Sequence, residues 1–152
     1  MNSERRLARL EALEAIRQLK HRYLNACDTK DVVRIRDCFA PGAISIDYGP
    51  IGTFDNRDRF IDLYRQLACH ERVKDLHHAG NPEIELTDDH NATARWALFY
   101  FNLDADTGAT LQLSGQYHDC YRCIEGEWKI VATRFERLME LAQSTVQDAA
   151  GR

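Results

Sequence analysis

Apolar side chains recur at Leu7, Leu10, Leu13, Ile16, Leu19, Tyr23 and Cys27, in steps of three and four. That spacing returns to one side of a 3.6-residue helix, so residues 3–27 are predicted to form one long amphipathic helix. Asp28-Thr29-Lys30-Asp31 supplies side chains able to cap a second helix carrying Val32, Val33, Ile35, Cys38 and Phe39, and Pro41-Gly42 ends it. AISIDYG at 43–49 reads as a short strand. A third helix is expected after Asp55-Asn56, with Phe60, Ile61, Leu63, Tyr64 and Leu67 on its buried side. After about residue 75 the chain reads as sheet: segments 83–87, 92–103, 110–124 and 128–135 are rich in aromatic and β-branched residues, with turn chemistry between them at 88–91, 104–108 and Glu125-Gly126. Connections this short imply antiparallel neighbours. Helices first and long hairpins afterwards define an α+β architecture, a curved antiparallel sheet wrapped over N-terminal helices. Residues 1–136 are expected to form one domain, and 137–152 a tail that adds a short helix or frays.

The two longest strands depart from clean alternation. Trp96, Leu98, Tyr100 and Asn102 share one face of 92–103, with Arg95, Phe99 and Phe101 on the other; Leu113, Gly115, Tyr117, Asp119 and Tyr121 share one face of 110–124. Aromatics mixed with polar groups suit a pocket whose few polar atoms orient a ligand, and equally a face that meets solvent or a second subunit. Tyr23, Tyr48, Trp96, Tyr100 and Tyr117 are the aromatic candidates for a pocket lining. Large rings on the opposite face predict a homo-oligomer, a dimer or trimer built through the sheet.

Composition narrows the partners. The chain has 152 residues, 44% apolar and 29% charged, which fits a globular domain with a single core and not a disordered chain. Twenty Lys and Arg against 24 Asp and Glu leave a net charge of −4, no footprint for nucleic acid or an anionic membrane. No apolar run reaches the ~18 residues that span a bilayer, and the N-terminus lacks the apolar stretch of a secretory signal, so a cytoplasmic location is expected. Cys27, Cys38, Cys69, Cys120 and Cys123 are an odd set that suits no disulfide framework. Cys120 and Cys123 have a zinc-like spacing, but no second pair follows and residues three apart on a strand face opposite sides, so no metal site is expected. Asp28 and the His77-His78 pair are the ionisable residues of most interest. An Asp between helices also serves as a cap, and a His beside a strand as a structural hydrogen-bonding group.

Three segments carry a resemblance. EALEAIRQLKHRYLNACDTKD, HHAGNPEIEL and GQYHDCYRCIEGEWKIVATR resemble the SnoaL-like group of the nuclear-transport-factor-two superfamily over most of residues 8–135, and CDTKDVVRIRDCFAP followed by IDY is similar to scytalone dehydratase. The resemblance implies a cone of strongly bent sheet closed by helices, with a deep pocket at the open end. In scytalone dehydratase, bile acid 7α-dehydratase and hexachlorocyclohexane dehydrochlorinase, an Asp at the end of the first helix pairs with a His preceding the central strands. Asp28 matches the Asp, and Asn81, four residues on, selects His77 over His78. Tyr23 resembles a Tyr of the bile acid enzyme, and Tyr48 one of scytalone dehydratase. The departures are equally specific: scytalone dehydratase's second pocket His falls near Asn102, its Tyr–Asp pair becomes Cys27-Asp28, its pocket Ser and Asn fall near Gly115 and Tyr117, and the dehydrochlorinase's catalytic Arg has no convincing match.

The resemblance implies a lyase or isomerase that needs no cofactor and acts on a small cyclic, largely apolar substrate such as a polyketide, steroid or aromatic-degradation intermediate. Asp28, His77 and Tyr23 are the catalytic candidates, with Asp28 and His77 expected in hydrogen-bonding contact inside the largest pocket. Tyr48, His78, Trp96, Tyr100, Asn102 and Tyr117 are the candidate substrate contacts. A binding protein without catalysis and a structural subunit, like the small subunits of ring-hydroxylating dioxygenases, are the alternatives.

Overall fold

Helix α1 (Ser3–Thr29) begins where the Asn2 side chain accepts the Arg5 N–H at 2.9 Å and ends at Lys30, whose φ of 61° turns the chain out of the helix. Its apolar stripe is buried only from Ile16 onward; Leu7 and Leu10 are exposed, because the first three turns have no packing partner among the described residues. The computed structural model describes residues 1–145. Asp31 and Asn56 cap α2 (Val32–Cys38) and α3 (Arg57–Ala68) by accepting the N–H of Arg34 and Arg59. Phe60 and Ile61 are the buried residues of α3, while Leu67, expected to be buried, is exposed.

Six strands form one mixed sheet: β1 (Ser45–Asp47), β2 (Thr53–Phe54), β3 (Val73–Leu86), β4 (Asn91–Asp104), β5 (Thr110–Ile124) and β6 (Glu127–Gln143), in the order β2-β1-β6-β5-β4-β3. Only β1 with β6 is parallel. β3 begins well before residue 83, so His77 and His78 lie within the strand and not ahead of it. Residues 73–80 pair with 97–104 although their side chains do not alternate, and a register shift between Gly80 and Glu83, with Asn81 at φ 50°, interrupts the ladder. β6 also outruns its expected end. The segment from 137, read as helix turn or frayed tail, continues as strand to Gln143 because Thr110–Ser114 of β5 offers it a partner edge; residues 146–152 lie outside the described part.

Register shifts at Ser114/Gly115 and Cys120/Tyr121 on the β5–β6 pair insert extra residues into β6, the device by which antiparallel sheets bend. At the first of them the Phe135 ring fills the place of the missing side chain: a Cβ on Gly115 would stand 2.4 Å from that ring and 2.4 Å from the Glu136 carbonyl oxygen. Ile16, Ile35, Phe39, Trp96 and Ile130 form the sealed core. A charged pair sits within it. Lys20 Nζ lies 2.7 Å from Asp119 Oδ2, both side chains fully buried, and 3.4 Å from the centroid of Tyr117. Tyr121 donates to Asp119 Oδ2 at 2.6 Å, Thr133 to Oδ1 at 2.7 Å, and the Trp96 indole to the Tyr121 oxygen at 3.1 Å. Among the described residues no helix is long and apolar enough to cross a membrane.

Candidate functional site

The cavity at the open end of the sheet has a volume of about 390 Å³. Its apolar wall comes from Phe60 and Leu63 of α3 and from Leu98, Leu113, Tyr117 and Phe135 of the sheet. Tyr23, Tyr48, His77, Tyr100 and Asn102 bring polar atoms to the same space. Rings and aliphatic chains with a few convergent polar groups describe a site for a compact apolar molecule.

One helix end and one strand create the central contact. Asp28, in the last turn of α1, reaches β3, where its Oδ1 lies 2.6 Å from His77 Nδ1 and its Oδ2 accepts the His77 backbone N–H at 3.1 Å. Both carboxylate oxygens hold one residue, which fixes the ring and places the imidazole proton on Nδ1. In that tautomer of the neutral ring the lone pair is on Nε2. Asp28 itself borders a different cavity, one of about 690 Å³ that also touches the charged side chains of Lys30, Arg65 and Asp75. The expectation of both side chains inside the largest cavity is corrected accordingly: the pair is the wall between two cavities, and His77 lines the smaller, apolar one.

Tyr23 and Tyr48 meet oxygen to oxygen at 2.7 Å. Burial is the main cause that drives both phenols well above their ordinary pKa, outweighing the Tyr23 hydrogen bond that pulls Tyr48 down, so both stay protonated across the neutral range; one hydroxyl donates to the other, and the acceptor keeps its own hydrogen to donate. Tyr117 is raised by burial in the same way, and its ring packs on Phe135 at 5.0 Å between centroids. Tyr100, the residue opposite His77 on β4, packs its ring 4.7 Å from the imidazole and donates its hydroxyl to Asp75 at 2.5 Å. Asn102 donates to the same Asp75 oxygen at 2.8 Å, and Lys30 pairs with the other. Burial pushes the Asp75 carboxyl up, but the three donors outweigh it and hold it below the usual carboxylate range.

Two expected substrate contacts are elsewhere. His78 is exposed on the opposite face of β3, since neighbours along a strand point to opposite sides. Trp96 is sealed in the core, below the level at which Leu98 opens β4 to the cavity, and its N–H is committed to Tyr121. Cys120 and Cys123 remain free, Cys120 on the exposed side of β5. Asp75, Phe135 and Arg137 are among the cavity residues that the sequence did not single out. Asp75 shares His77's strand parity, a signal hidden because β3 was expected to start later; Phe135 fills the space over Gly115; and Arg137, in the supposed tail, follows Thr133 and Phe135 in the strand alternation, opposite Gly115. Arg137 also pairs with the Glu140 carboxylate.

Comparison with known proteins follows the same lines. A family model described as a SnoaL-like domain matches residues 8–134. A scytalone dehydratase candidate of Novosphingobium aromaticivorans DSM 12444 superposes with a TM-score of 0.81 at 19% identity, covering 88% of this chain and 89% of its own. The hexachlorocyclohexane dehydrochlorinase LinA-type3 of Novosphingobium barchaimii LL02 gives 0.80 at 17% identity, over 91% of this chain and 94% of its own. A protein of unknown function with a cystatin-like fold from Nostoc punctiforme PCC 73102 gives 0.66 at 20% identity, over 85% and 92%. At these identities the likeness is one of fold, the α+β cone of the nuclear-transport-factor-two type.

Proposed function

The chain belongs to the SnoaL-like domain family, and from that footing we propose that it is a cofactor-independent lyase or isomerase working on a small cyclic, largely apolar substrate. The observation that carries this reading is the 2.6 Å contact between Asp28 and His77 Nδ1, with His77 in the wall of an apolar cavity. His77 Nε2 takes a proton from a carbon beside a carbonyl; Asp28 holds the tautomer and stabilises the imidazolium that forms. The electrons of the broken C–H bond become the new C=C bond. In elimination the C–O bond to a hydroxyl then breaks, and the departing oxygen leaves as water with the proton returned by His77. Isomerisation instead returns the proton to another carbon. Tyr23, backed by Tyr48, donates a hydrogen bond to the oxygen on which negative charge builds. Tyr48, Tyr100, Asn102 and Tyr117 shape the bed of the ring. The outer apolar face of the sheet belongs to a homo-oligomer in the same proposal.

A panel of cyclic β-hydroxy-ketones, read by mass spectrometry for loss of water, tests the reaction. With a substrate found, His77→Gln is expected to lower kcat/KM by roughly 100- to 10,000-fold and Asp28→Asn by a similar factor, with folding retained. Tight binding of panel members that are returned unchanged by the wild-type protein would sink the lyase reading in favour of a binding protein.

A further inference from the structure

The end of α1 makes two grips on β3, and only one of them serves the Asp28–His77 pair. Two residues beyond Asp28, Lys30 reaches Asp75, two residues before His77. A helix terminus thus places a carboxylate and an ammonium on alternate residues of one strand, against a histidine and a carboxylate. Asp75 is nearly sealed, its side chain 6% exposed, and both of its oxygens are engaged: one by Lys30, the other by the Tyr100 hydroxyl at 2.5 Å and the Asn102 amide at 2.8 Å. The Tyr100 hydroxyl hydrogen is therefore committed to Asp75 and is not a donor to substrate. What Tyr100 offers the site is its ring, which packs on His77 with a centroid separation of 4.7 Å and a tilt of 47°.

We infer that Asp75, with Lys30 as its counter-charge, is a positioning residue of the site: it pins the Tyr100 hydroxyl so that the ring braces His77 and keeps Nε2 aimed into the cavity. Asp28 grips the imidazole at its Nδ1 edge, and the Tyr100 ring packed against it adds a second constraint. His77 with Tyr100 and Asp75 with Asn102 are successive cross-strand pairs on one face, so displacement at the lower pair is transmitted directly to the upper one. A base must be held to within a fraction of an ångström to transfer a proton efficiently, and such support decides turnover more than binding. The inference deepens the proposed reaction and rests on it for its catalytic meaning, but its physical content, the order of the His77 ring, is readable without substrate.

The test uses the full chain with isotope-labelled histidine, followed by imidazole NMR, with His77→Gln assigning the signal and His78→Gln as a control on the outer face. Asp75→Asn, Lys30→Met and Tyr100→Phe are each expected to shift and broaden the His77 ring signals while Asp28 still keeps the proton on Nδ1. Tyr100→Phe should add nothing to Asp75→Asn, since both cut one link. With a substrate in hand, the same variants should lower kcat roughly tenfold and leave KM within about twofold. Should Asp75→Asn fail to fold, the Lys30 and Tyr100 variants carry the same reading. Unchanged His77 signals in the folded variants overturn the inference even if the protein is a dehydratase; a clear His77 response in a protein that turns nothing over leaves the inference standing and removes the reaction.

Discussion

Asp75 has a consequence for stability as well as for the site. Its carboxyl in the folded chain lies below the usual carboxylate range, whereas in the unfolded chain it takes the ordinary value near 3.9. Between those two values the unfolded chain binds more protons than the folded one, so the stability supplied by Asp75 is complete above about pH 4 and is lost as pH falls through the folded value. Urea titrations from pH 7 to pH 2.5 are expected to show Asp75→Asn less stable than wild type near neutrality, with the two curves converging on the acid side. Parallel curves would remove this role. The same residue marks the limit of what the sequence discloses. Asp28 and His77 were legible through the likeness of the surrounding segments, because their order and their distance from Asn81 follow a pattern. Asp75 and Lys30 follow none: each looks like a solvated charge in a polar stretch, and their meeting depends on where β3 starts and on the left-handed turn at Lys30.

At the scale of elements, the buried pair of Lys20 and Asp119 ties α1 to the middle of β5. Burial lowers the Lys20 pKa, and the contacts with Asp119 are the main influence opposing that shift. Removing one member of such a pair leaves the other charge without its counter-ion in a dry interior. Lys20→Met is therefore expected to destabilise the fold by about 3 kcal/mol, and Lys20→Met with Asp119→Asn to recover part of it, because the amide oxygen still accepts from Tyr121 or Thr133 without carrying charge. Chemical denaturation of the two variants measures both, and a loss under about 0.5 kcal/mol for Lys20→Met contradicts the argument. The sequence conceals this tie for a physical reason. Lys20 is next to Leu19 on a helix otherwise rich in charged residues, and a lysine there reads as a solvated side chain unless the strand opposite is known to carry Asp119. The helix starts, the capping stretch that ends at Asp31 and the bounds of β5 were legible because local chemistry decides them. The starts and ends of β3 and β6 were not, because a strand persists where a neighbour offers an edge, whatever its own pattern.

Across the whole molecule, the convex side of the sheet carries an apolar band. Leu76, Phe101, Gln112 and Leu141 are successive cross-strand neighbours over four strands, and His78, Phe99, Ser114 and Met139 form the adjacent row. Phe99 is 45% exposed, Leu141 54% and Met139 68%. Residues 136–143, which could have folded back over Phe99, instead extend the sheet beside β5. Contiguous rings and aliphatic chains of this kind are covered in most soluble proteins, and a homo-oligomer is expected, with Phe99→Lys shifting it toward the monomer. Sedimentation at micromolar concentration decides; a wild-type monomer ends the argument. The tie between Lys20 and Asp119 bears also on synthesis. Its two ends are 99 residues apart, so at translation rates of about 5–20 residues per second the helix leaves the ribosome roughly 5–20 s ahead of its counter-charge. During that interval Ile16, Leu19 and Tyr23 lack the sheet that covers them and have only the α2 segment and Phe39 to pack against. A sequence order that puts the lid before the cone makes this protein a natural client for whatever shields emerging apolar helices.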